Sequence, residues 1–391
     1  MLAVAKELFQ HNPDFKKIAT AYAAIGVFFG VQLSLQNNFI VERLGIEAHE
    51  LGMVEGLREV PGFLNFAFLA VMVALSLRIS AALSLAVMGI GIALFSQINS
   101  VLSFALLSVF WSIGFHAWIP IGQTMALRMA PKGNEGKALG FLRSVDSFAW
   151  LGMIVFSYFS YQYIGYNGIF FVAGVACLVG AVFISKVKTK DPAFVDKTML
   201  IRKKYWLYYT LQFLQGCRKQ IFITFAIFAL VKVHGMPVET TMILVFINQL
   251  LITLTGPLIG RLIDRLGERI MLTISYASLT LVFLGYGLID NLTVLYVLYC
   301  LDNFLFFGSI ALNTYINRLA PPEDLKPTLS IGVAFNHISS VAAPLIGGFV
   351  WIAFGYQVIF IAGALIAFVS LVFAQYIRSS NPQPETRESV Q

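Results

Sequence analysis

The sequence predicts an all-α membrane protein with twelve transmembrane helices, arranged as two six-helix bundles related by a parallel pseudo-two-fold repeat. Hydrophobic residues make up 58% of the 391 residues and charged residues only 12%. Soluble domains have roughly a quarter of their residues charged, so this composition excludes a water-soluble globule. Unbroken apolar runs such as 83–95 and 358–373 indicate helices, because membrane barrels alternate apolar and polar residues over segments of about ten.

The first half of the chain, 15–185, contains six apolar runs of about 20 residues, the length that a helix needs to cross the hydrocarbon core. Before it lies a polar segment, 1–14, which we expect to be a cytoplasmic tail because no small-residue cleavage site follows the first apolar run. Glycine, asparagine or charge separates the runs, as at Gly45, Asn99 and Gly165. The predicted spans are 15–40, 50–75, 80–97, 101–127, 138–163 and 167–185.

A polar segment, 186–204, separates the halves, and we expect it to be a cytoplasmic central loop. The second half, 205–378, again contains six apolar runs, and a cytoplasmic tail, 379–391, is expected to follow. The predicted spans of this half are 205–232, 238–264, 269–288, 292–318, 328–353 and 357–377.

The distribution of lysine and arginine predicts the orientation of the spans. If the N-terminus is cytoplasmic, only Arg43 and Lys232 among the 27 basic residues fall on outer loops. Cytoplasmic loops carry an excess of basic residues, so we expect both termini in the cytoplasm of a protein of the plasma or inner membrane. The formal charge of +7 follows from this asymmetry and indicates no nucleic-acid partner. The expected partners are the lipid bilayer and small solutes, and we expect a monomer.

The two halves carry matching segments at one offset of 190 residues. This offset lays the sequence RMAP at 128–131 over RLAP at 318–321, and lays 165–170 over 355–360 with Gly, Tyr, Ile and Phe in common. Six spans return the chain to its starting side, so the two copies are parallel. Such parallel repeats are associated with secondary transporters.

The loop between the eighth and ninth spans has the sequence GRLIDRLGER. Gly260 lets helices approach closely, Asp264 can accept hydrogen bonds at a helix end, Gly267 permits a tight turn, and Arg265 and Arg269 suit the negatively charged inner leaflet. This pattern resembles the signature loop of the major facilitator superfamily, whose fold has twelve spans in two halves. The resemblance implies a transporter, and it implies that these five residues form a latch that stabilises one state of the alternating-access cycle.

The first half does not keep this latch loop. The offset of 190 residues places Ala70 and Ala74 at the positions of Gly260 and Asp264, so the resemblance is to a divergent branch. The fifth span also lacks the Gly-Pro-Gly-Gly pattern that many proton-antiporting drug exporters of the superfamily carry.

Ionisable residues inside spans are costly, so each one is a functional candidate. On the second span, Glu55, Arg58 and Glu59 are spaced i, i+3 and i+4, which puts Arg58 beside both carboxylates. Two interpretations stay open: an ion-pair cluster that locks the outer gate, or a carboxylate that carries the coupling proton.

The fifth span carries Arg143 and Asp146, which can neutralise each other at a spacing of i, i+3 near the cytoplasmic gate. The alternative is a group that contacts substrate or exchanges partners as the halves move. The repeat offset places His337 in the matching part of the eleventh span. His337 and His116 can titrate near neutral pH, although a lone histidine in a helix is more often a packing residue.

The seventh span carries two adjacent cations, Arg218 and Lys219, which point about 100° apart on a helix. Asp302 on the tenth span is a plausible partner for one of them. The superfamily resemblance implies that the seventh span borders a central cavity. The other cation would then face this cavity and attract an anionic group of a substrate, and arginine is better suited than lysine to bind carboxylate or phosphate through two hydrogen bonds. A purely structural triad, or cations that reach toward the membrane surface, are the alternatives.

The superfamily resemblance also implies that spans one, four, seven and ten surround a central cavity. Gln32 and Gln36 on the first span and His116 on the fourth are therefore further substrate-binding candidates, since amides both donate and accept hydrogen bonds.

The sequence predicts a transporter rather than an enzyme, with no cofactor and no metal site. The cysteines have no CxxC or histidine-rich company, and Pro131 stands where a phosphate-binding loop needs its first glycine. We therefore predict a secondary active transporter that moves a small solute by alternating access, coupled to protons, with an anionic group on the solute.

Two other functions stay open. One is a proton-driven efflux carrier for amphipathic compounds or drugs. The other is a membrane receptor or scaffold without transport, in which Gly26 with Gly30, or Gly52 with Gly56, would contact a partner helix.

Overall fold

The computed structural model describes residues 2–64, 75–188, 201–305 and 308–377, and the secondary structure within these ranges is helical. Most of the predicted central loop, the predicted C-terminal tail and the end of the second predicted span, with Ala70 and Ala74, lie outside the described residues. The helices, numbered in chain order, are α1 (Leu2–His11), α2 (Phe15–Leu44), α3 (Ala48–Phe63), α4 (Leu77–Ala93), α5 (Val101–Met129), α6 (Glu135–Ser185), α7 (Trp206–Lys232), α8 (Val238–Leu266), α9 (Glu268–Leu288), α10 (Leu292–Leu305), α11 (Gly308–Leu319), α12 (Pro322–Phe354) and α13 (Tyr356–Ala374).

In the described part of the chain, ten helical segments are long and apolar enough to cross a membrane. Helix α6 is counted once, although it contains both the fifth and the sixth predicted spans. Gly165, with φ 58° and ψ −170°, breaks the helix between these two spans. The tenth predicted span is divided between α10 and α11, on either side of two residues outside the described ranges. The all-α membrane fold is confirmed, and the count of twelve spans in two repeated bundles stays a prediction.

The outer surface of the helices is apolar, as expected of a surface that faces lipid. The side chains of Leu102, Phe159 and Leu254 are each 68% exposed. Exposed apolar area on this scale would drive aggregation in water. In a bilayer the same apolar side chains are in contact with lipid and are not exposed to water.

Glycines bring pairs of helices into backbone contact. A Cβ on Gly26 would lie 2.1 Å from the backbone oxygen of Asp146, so α2 and α6 pack closely. A Cβ on Gly52 would lie 2.2 Å from the backbone oxygen of Pro344, so α3 and α12 are equally close. The second glycine of each predicted pair contacts the same neighbouring helix. These glycines pack within the chain, so they are not available for the contacts with a partner helix that a scaffold would use.

The helix ends form two faces, here called the N-terminal face, where α2 begins, and the opposite face, where α2 ends. Polar contacts join the two halves at the opposite face. Lys232 Nζ lies 2.8 Å from Glu47 Oε1, and Thr241 Oγ1 donates to Asn38 Oδ1 at 2.7 Å. Together with the close approach of α3 and α12, these contacts close the opposite face.

At the N-terminal face, Asp14 ties the start of α2 to the segment that follows α6. Its carboxylate accepts from Lys17 Nζ at 2.6 Å and from the backbone N–H of Lys188 at 2.8 Å. Burial raises the pKa of Asp14, but these two donors outweigh it and hold the pKa below its usual value.

Candidate functional site

An ion-pair cluster lies on α3 between the two halves, and we call Glu55, Arg58 and Glu59 the α3 cluster. Arg58 Nη2 lies 2.7 Å from Glu55 Oε2 and 3.1 Å from Glu59 Oε1. The guanidinium also lies 5.6 Å from the ring centroid of Trp111, within the range of a cation–π contact. The structure thus brings together the three residues that their spacing puts on one helix face.

The amides of α2 extend this cluster. Gln36 Nε2 donates to Glu55 Oε1 at 3.2 Å, and Gln32 Nε2 donates to Gln36 Oε1 at 2.8 Å. Beside them is a cavity of about 20 Å³ that also borders Thr224 of α7, which is room for about one water molecule. Both glutamines therefore lie where the two halves meet.

Two histidines from other helices approach the same cluster. His337 Nδ1 on α12 lies 3.3 Å from Glu59 Oε2, and His116 Nε2 on α5 lies 4.0 Å from the same oxygen. The two ring centroids are 5.2 Å apart. Gly62 leaves the space that the rings occupy, because a Cβ there would lie 2.5 Å from an atom of each ring. Sequence reasoning named both histidines but did not predict that they lie beside Glu59, since the three residues belong to separate helices.

A second charge pair lies within the second half. Arg218 Nη1 is 3.0 Å from Asp302 Oδ1, and the two side chains are 1% and 6% exposed. The guanidinium of Arg218 lies 5.6 Å from the ring centroid of Phe283. Asp302 was predicted to pair with one of two adjacent cations, and the structure pairs it with Arg218.

Lys219 is the second of the two adjacent cations on α7. It is half-buried and makes no hydrogen bond or ion pair with any other residue that the structure describes. The charge of Glu59 acts favourably on its ammonium group at longer range, and the charges of Arg58 and Arg218 oppose that effect. Of the two adjacent cations, it is therefore Lys219 and not Arg218 that has no ion-pair partner in the described structure.

Arg143 and Asp146 do not pair as their spacing predicted. No ion pair within 4.0 Å joins them in the described structure. Arg143 is exposed, since a long basic side chain can extend to water, whereas Asp146 Oδ1 is buried without a hydrogen-bond partner in the described region. His337, which the repeat placed at the level of this pair, lies beside Glu59 instead.

The predicted latch loop joins α8 to α9 at the N-terminal face. Gly267 has φ 79° and ψ 160°, a conformation that glycine adopts readily, and Arg269 Nη2 donates to Gln375 Oε1 at 3.5 Å. Asp264 and Arg265 are exposed. The last member, Gly260, lies within α8.

Sequence reasoning missed one residue of this loop sequence, Glu268. Glu268 is buried and forms an ion pair with Arg318 of the repeated RLAP segment. The signal for it was available, because a carboxylate in the first turn of α9 and a basic residue in a repeated motif both lie at the N-terminal face.

One group of side chains has the chemistry of a metal site. The donor atoms of Glu59, His116 and His337 all lie within 4.8 Å of one another. Imidazole nitrogen and carboxylate oxygen are ligands of first-row transition metals. The sequence indicated no metal, because these residues have no characteristic spacing along the chain.

Solved transporter structures share this fold. A mutant form of the nucleoside transporter NupG matches 94% of this chain and 100% of its own, with a TM-score of 0.78 and 14% identity. A bacterial homologue of the human lysosomal transporter Spinster, described as inward-facing and occupied, matches 92% of this chain and 95% of its own, with a TM-score of 0.74 and 12% identity. At such identities the similarity shows the fold alone. A search of curated proteins finds no significant match.

The family model of the Major Facilitator Superfamily matches residues 18–326 and 208–391, which together cover nearly the whole chain. This match confirms the resemblance that the latch loop and the repeat indicated. It also agrees with a multi-pass membrane protein that transports solutes and is not an enzyme. The chain belongs to the Major Facilitator Superfamily.

Proposed function

We propose that this protein is a proton-coupled secondary transporter for a small solute that carries an anionic group. Membership of the superfamily supports secondary transport in general. One observation supports the anionic class of the solute. Lys219 is a half-buried cation on α7 that contacts no carboxylate in the described structure, while its neighbour Arg218 is already neutralised by Asp302.

Electrostatics favours an anion beside Lys219. An ammonium group held away from bulk water attracts a carboxylate or phosphate much more strongly than it would in water. The α3 cluster, with two carboxylates and one guanidinium, compensates Lys219 only at a distance. A hydrogen-bond acceptor is also available, because Gln32 Oε1 is buried without a partner in the described part of the chain. The expected solute therefore combines an anionic group with a hydrogen-bond donor.

We assign proton coupling to Asp146. Glu55 and Glu59 pair with Arg58, whereas Asp146 Oδ1 has no hydrogen-bond partner in the described structure. An ionised carboxylate in this setting is costly, and uptake of a proton removes the cost. Release of that proton requires water, and the nearest exposed basic side chain is that of Arg143, one turn nearer the N-terminal face.

The proposed direction of opening follows from the contacts between the halves. The opposite face is closed by Lys232 with Glu47 and by Asn38 with Thr241. If both termini are cytoplasmic, as the basic residues predict, this structure is closed toward the outside. The solute would then exchange with the cytoplasm in this state.

The anionic class can be tested by ligand-induced stabilisation of the purified full-length protein, followed by uptake into proteoliposomes. The probes are lactate, succinate and glycerol 3-phosphate, with uridine as the uncharged comparison because a solved neighbour is a nucleoside transporter. A ligand at a hundred times its Kd raises the free energy of unfolding by about 2.7 kcal/mol.

We expect stabilisation by at least one of the anions, lost in Lys219→Gln and retained in Lys203→Gln, which removes an exposed lysine at the start of the second half. A response to uridine that survives Lys219→Gln would contradict the anionic class.

Proton coupling is tested separately with Asp146→Asn. We expect this variant to bind the anion in detergent but to lose uptake driven by a pH gradient, because it can no longer exchange a proton. Glu239→Gln, which changes an exposed carboxylate at the opposite face, is the matched control. Uptake by Asp146→Asn that still follows the pH gradient would exclude this assignment.

A second candidate function is proton-driven efflux of amphipathic compounds. It is favoured by an apolar groove of about 140 Å³ between α6 and α8, lined in part by Tyr158, Phe159 and Phe246. A compound dissolved in the bilayer can reach such a groove from the side. Stabilisation by tetraphenylphosphonium that is retained in Lys219→Gln and lost in Phe246→Ala would favour efflux over the uptake of anions.

A further inference from the structure

We propose that Glu59, His116 and His337 form a binding site for a divalent first-row transition-metal ion, such as Zn²⁺, that bridges the two halves of the protein. Glu59 and His116 belong to α3 and α5 of the first half, and His337 belongs to α12 of the second. Their donor atoms lie within 4.8 Å of one another. Two imidazoles and one carboxylate form a ligand set that such ions accept. The site does not depend on the anion proposed for Lys219.

The hydrogen bonds of Ser112 determine which nitrogen of His116 carries the proton. Ser112 Oγ donates its only proton to the backbone oxygen of Arg58 at 2.6 Å. His116 Nδ1 lies 3.0 Å from Ser112 Oγ and 3.0 Å from the backbone oxygen of the same residue. Both atoms are therefore acceptors, so Nδ1 must carry a proton, and in the neutral ring Nε2 is left with a free lone pair.

This arrangement is the one that metal-binding histidines commonly have. Their second ring nitrogen usually donates to a backbone carbonyl or carboxylate, which fixes the tautomer and the orientation of the ring. In His116 the fixed orientation of the ring places Nε2 4.0 Å from Glu59 Oε2. Lone pairs of a neutral imidazole and a carboxylate repel each other, so the space between them favours a cation.

Glu59 has one oxygen available for that cation. Oε1 accepts from Arg58 at 3.1 Å, whereas Oε2 faces both histidines, with His337 Nδ1 at 3.3 Å. A proton on His337 satisfies only that contact. A metal ion satisfies the carboxylate and both imidazoles together.

The distances suit a small ion. Metal–ligand bonds of about 2.1 Å separate the ligands of a tetrahedral site by roughly 3.4 Å. The contact between Glu59 and His337 already has this length. His116 must approach Glu59 by about 0.6 Å from its distance of 4.0 Å to reach the tetrahedral spacing. The two histidine donors, which lie within 4.8 Å of each other, must approach by up to about 1.4 Å to reach the same spacing. Rotation of the side chains can supply both shifts. Gly62 leaves room for both rings.

Two cations limit the affinity of this site. Arg58 forms an ion pair with Glu59 and would compete with the metal for it. Lys219 interacts electrostatically with Glu59. Three protein ligands also leave at least one position for water or solute, as in exchangeable sites. We therefore expect a reversible site, occupied in the state in which α3 and α12 are in contact.

The test is calorimetric titration of Zn²⁺ into the full-length protein, purified without a histidine tag. Visible absorption of Co²⁺ reports the geometry of the bound ion. We expect one Zn²⁺ per chain. His116→Gln and His337→Gln should each weaken binding at least tenfold. His234→Gln changes a histidine near the opposite face that contacts Tyr356, and it should bind Zn²⁺ as the unmodified protein does.

A further variant removes the space without removing a ligand. In Gly62→Ala the new methyl group would lie 2.5 Å from both rings, so Zn²⁺ binding should fall as in the histidine variants. Thermal unfolding without metal shows whether each variant is folded. Failure of the unmodified protein to bind Zn²⁺, or equal binding by His337→Gln, would overturn the proposal. Either result leaves the anion test unaffected, because that test uses Lys219.

Discussion

Removing one partner of the buried pair between Arg218 and Asp302 should destabilise the protein far more than removing both. The side chains are 1% and 6% exposed and 3.0 Å apart, so water cannot screen the charge that is left behind. Loss of one partner of a buried pair costs about 3–5 kcal/mol, whereas apolar replacement of both is often neutral. We expect Asp302→Leu and Arg218→Met each to lower the free energy of unfolding by about 3–5 kcal/mol.

The double variant Arg218→Met with Asp302→Leu should recover most of that loss. The assay is chemical unfolding in detergent of the four proteins of the cycle, from which the coupling energy is obtained directly. Lys232→Gln with Glu47→Gln is the matched control, because this pair is 25% and 51% exposed and exposed pairs contribute less than about 1 kcal/mol. Additive losses at Arg218 and Asp302 would refute the view that the two charges are mutually neutralised and would return Arg218 to the substrate site.

Three other changes test parts of the fold. Gly52→Val places side-chain atoms within 2.2 Å of the Pro344 backbone oxygen, so we expect faster thiol labelling of a cysteine introduced at the opposite face; unchanged labelling would mean that α3 and α12 do not form the closure. Glu268→Gln should lower the free energy of unfolding by about 1 kcal/mol, since its partner is 45% exposed and partly screened. Gly165→Ala should cost about 1–3 kcal/mol, because φ 58° with ψ −170° is a region reserved for glycine. The control Gly152→Ala has open space at its Cβ, and an equal loss there would contradict the argument from the backbone.

The helices and their ends could be predicted because their signals are local. Apolar runs of spanning length are recognised residue by residue. The helix breaks predicted at Gly45 and Gly165 are present in the structure, where these residues have φ 59° and 58°, and Gly355 at the repeated position has φ 88°. In each case a glycine marks a backbone conformation that other residues avoid.

Apart from the pair of Arg218 and Asp302, the contacts of the candidate site could be predicted only where they lie within one helix turn, and not always there. The i, i+3 spacing of Glu55 and Arg58 produces an ion pair, but the same spacing of Arg143 and Asp146 does not. Spacing brings two side chains into reach, and their rotamers then depend on the neighbouring helices and on access to water. The contact between His337 and Glu59 could not be predicted from spacing at all, because it depends on the packing of α3 against α12.

The contacts of Glu59 differ in what a movement of the two halves would do to them. Arg58 stays beside Glu59 in any state, since both belong to α3, whereas His337 moves with α12. A rocking motion that opens the opposite face would therefore separate His337 from Glu59 along with Lys232 from Glu47. Any ion or proton held between Glu59 and His337 is bound more tightly in the closed arrangement than in the open one. Linkage then requires that its binding shift the equilibrium toward closure, so this contact across the halves is where we expect an ion to act on the proposed transport cycle.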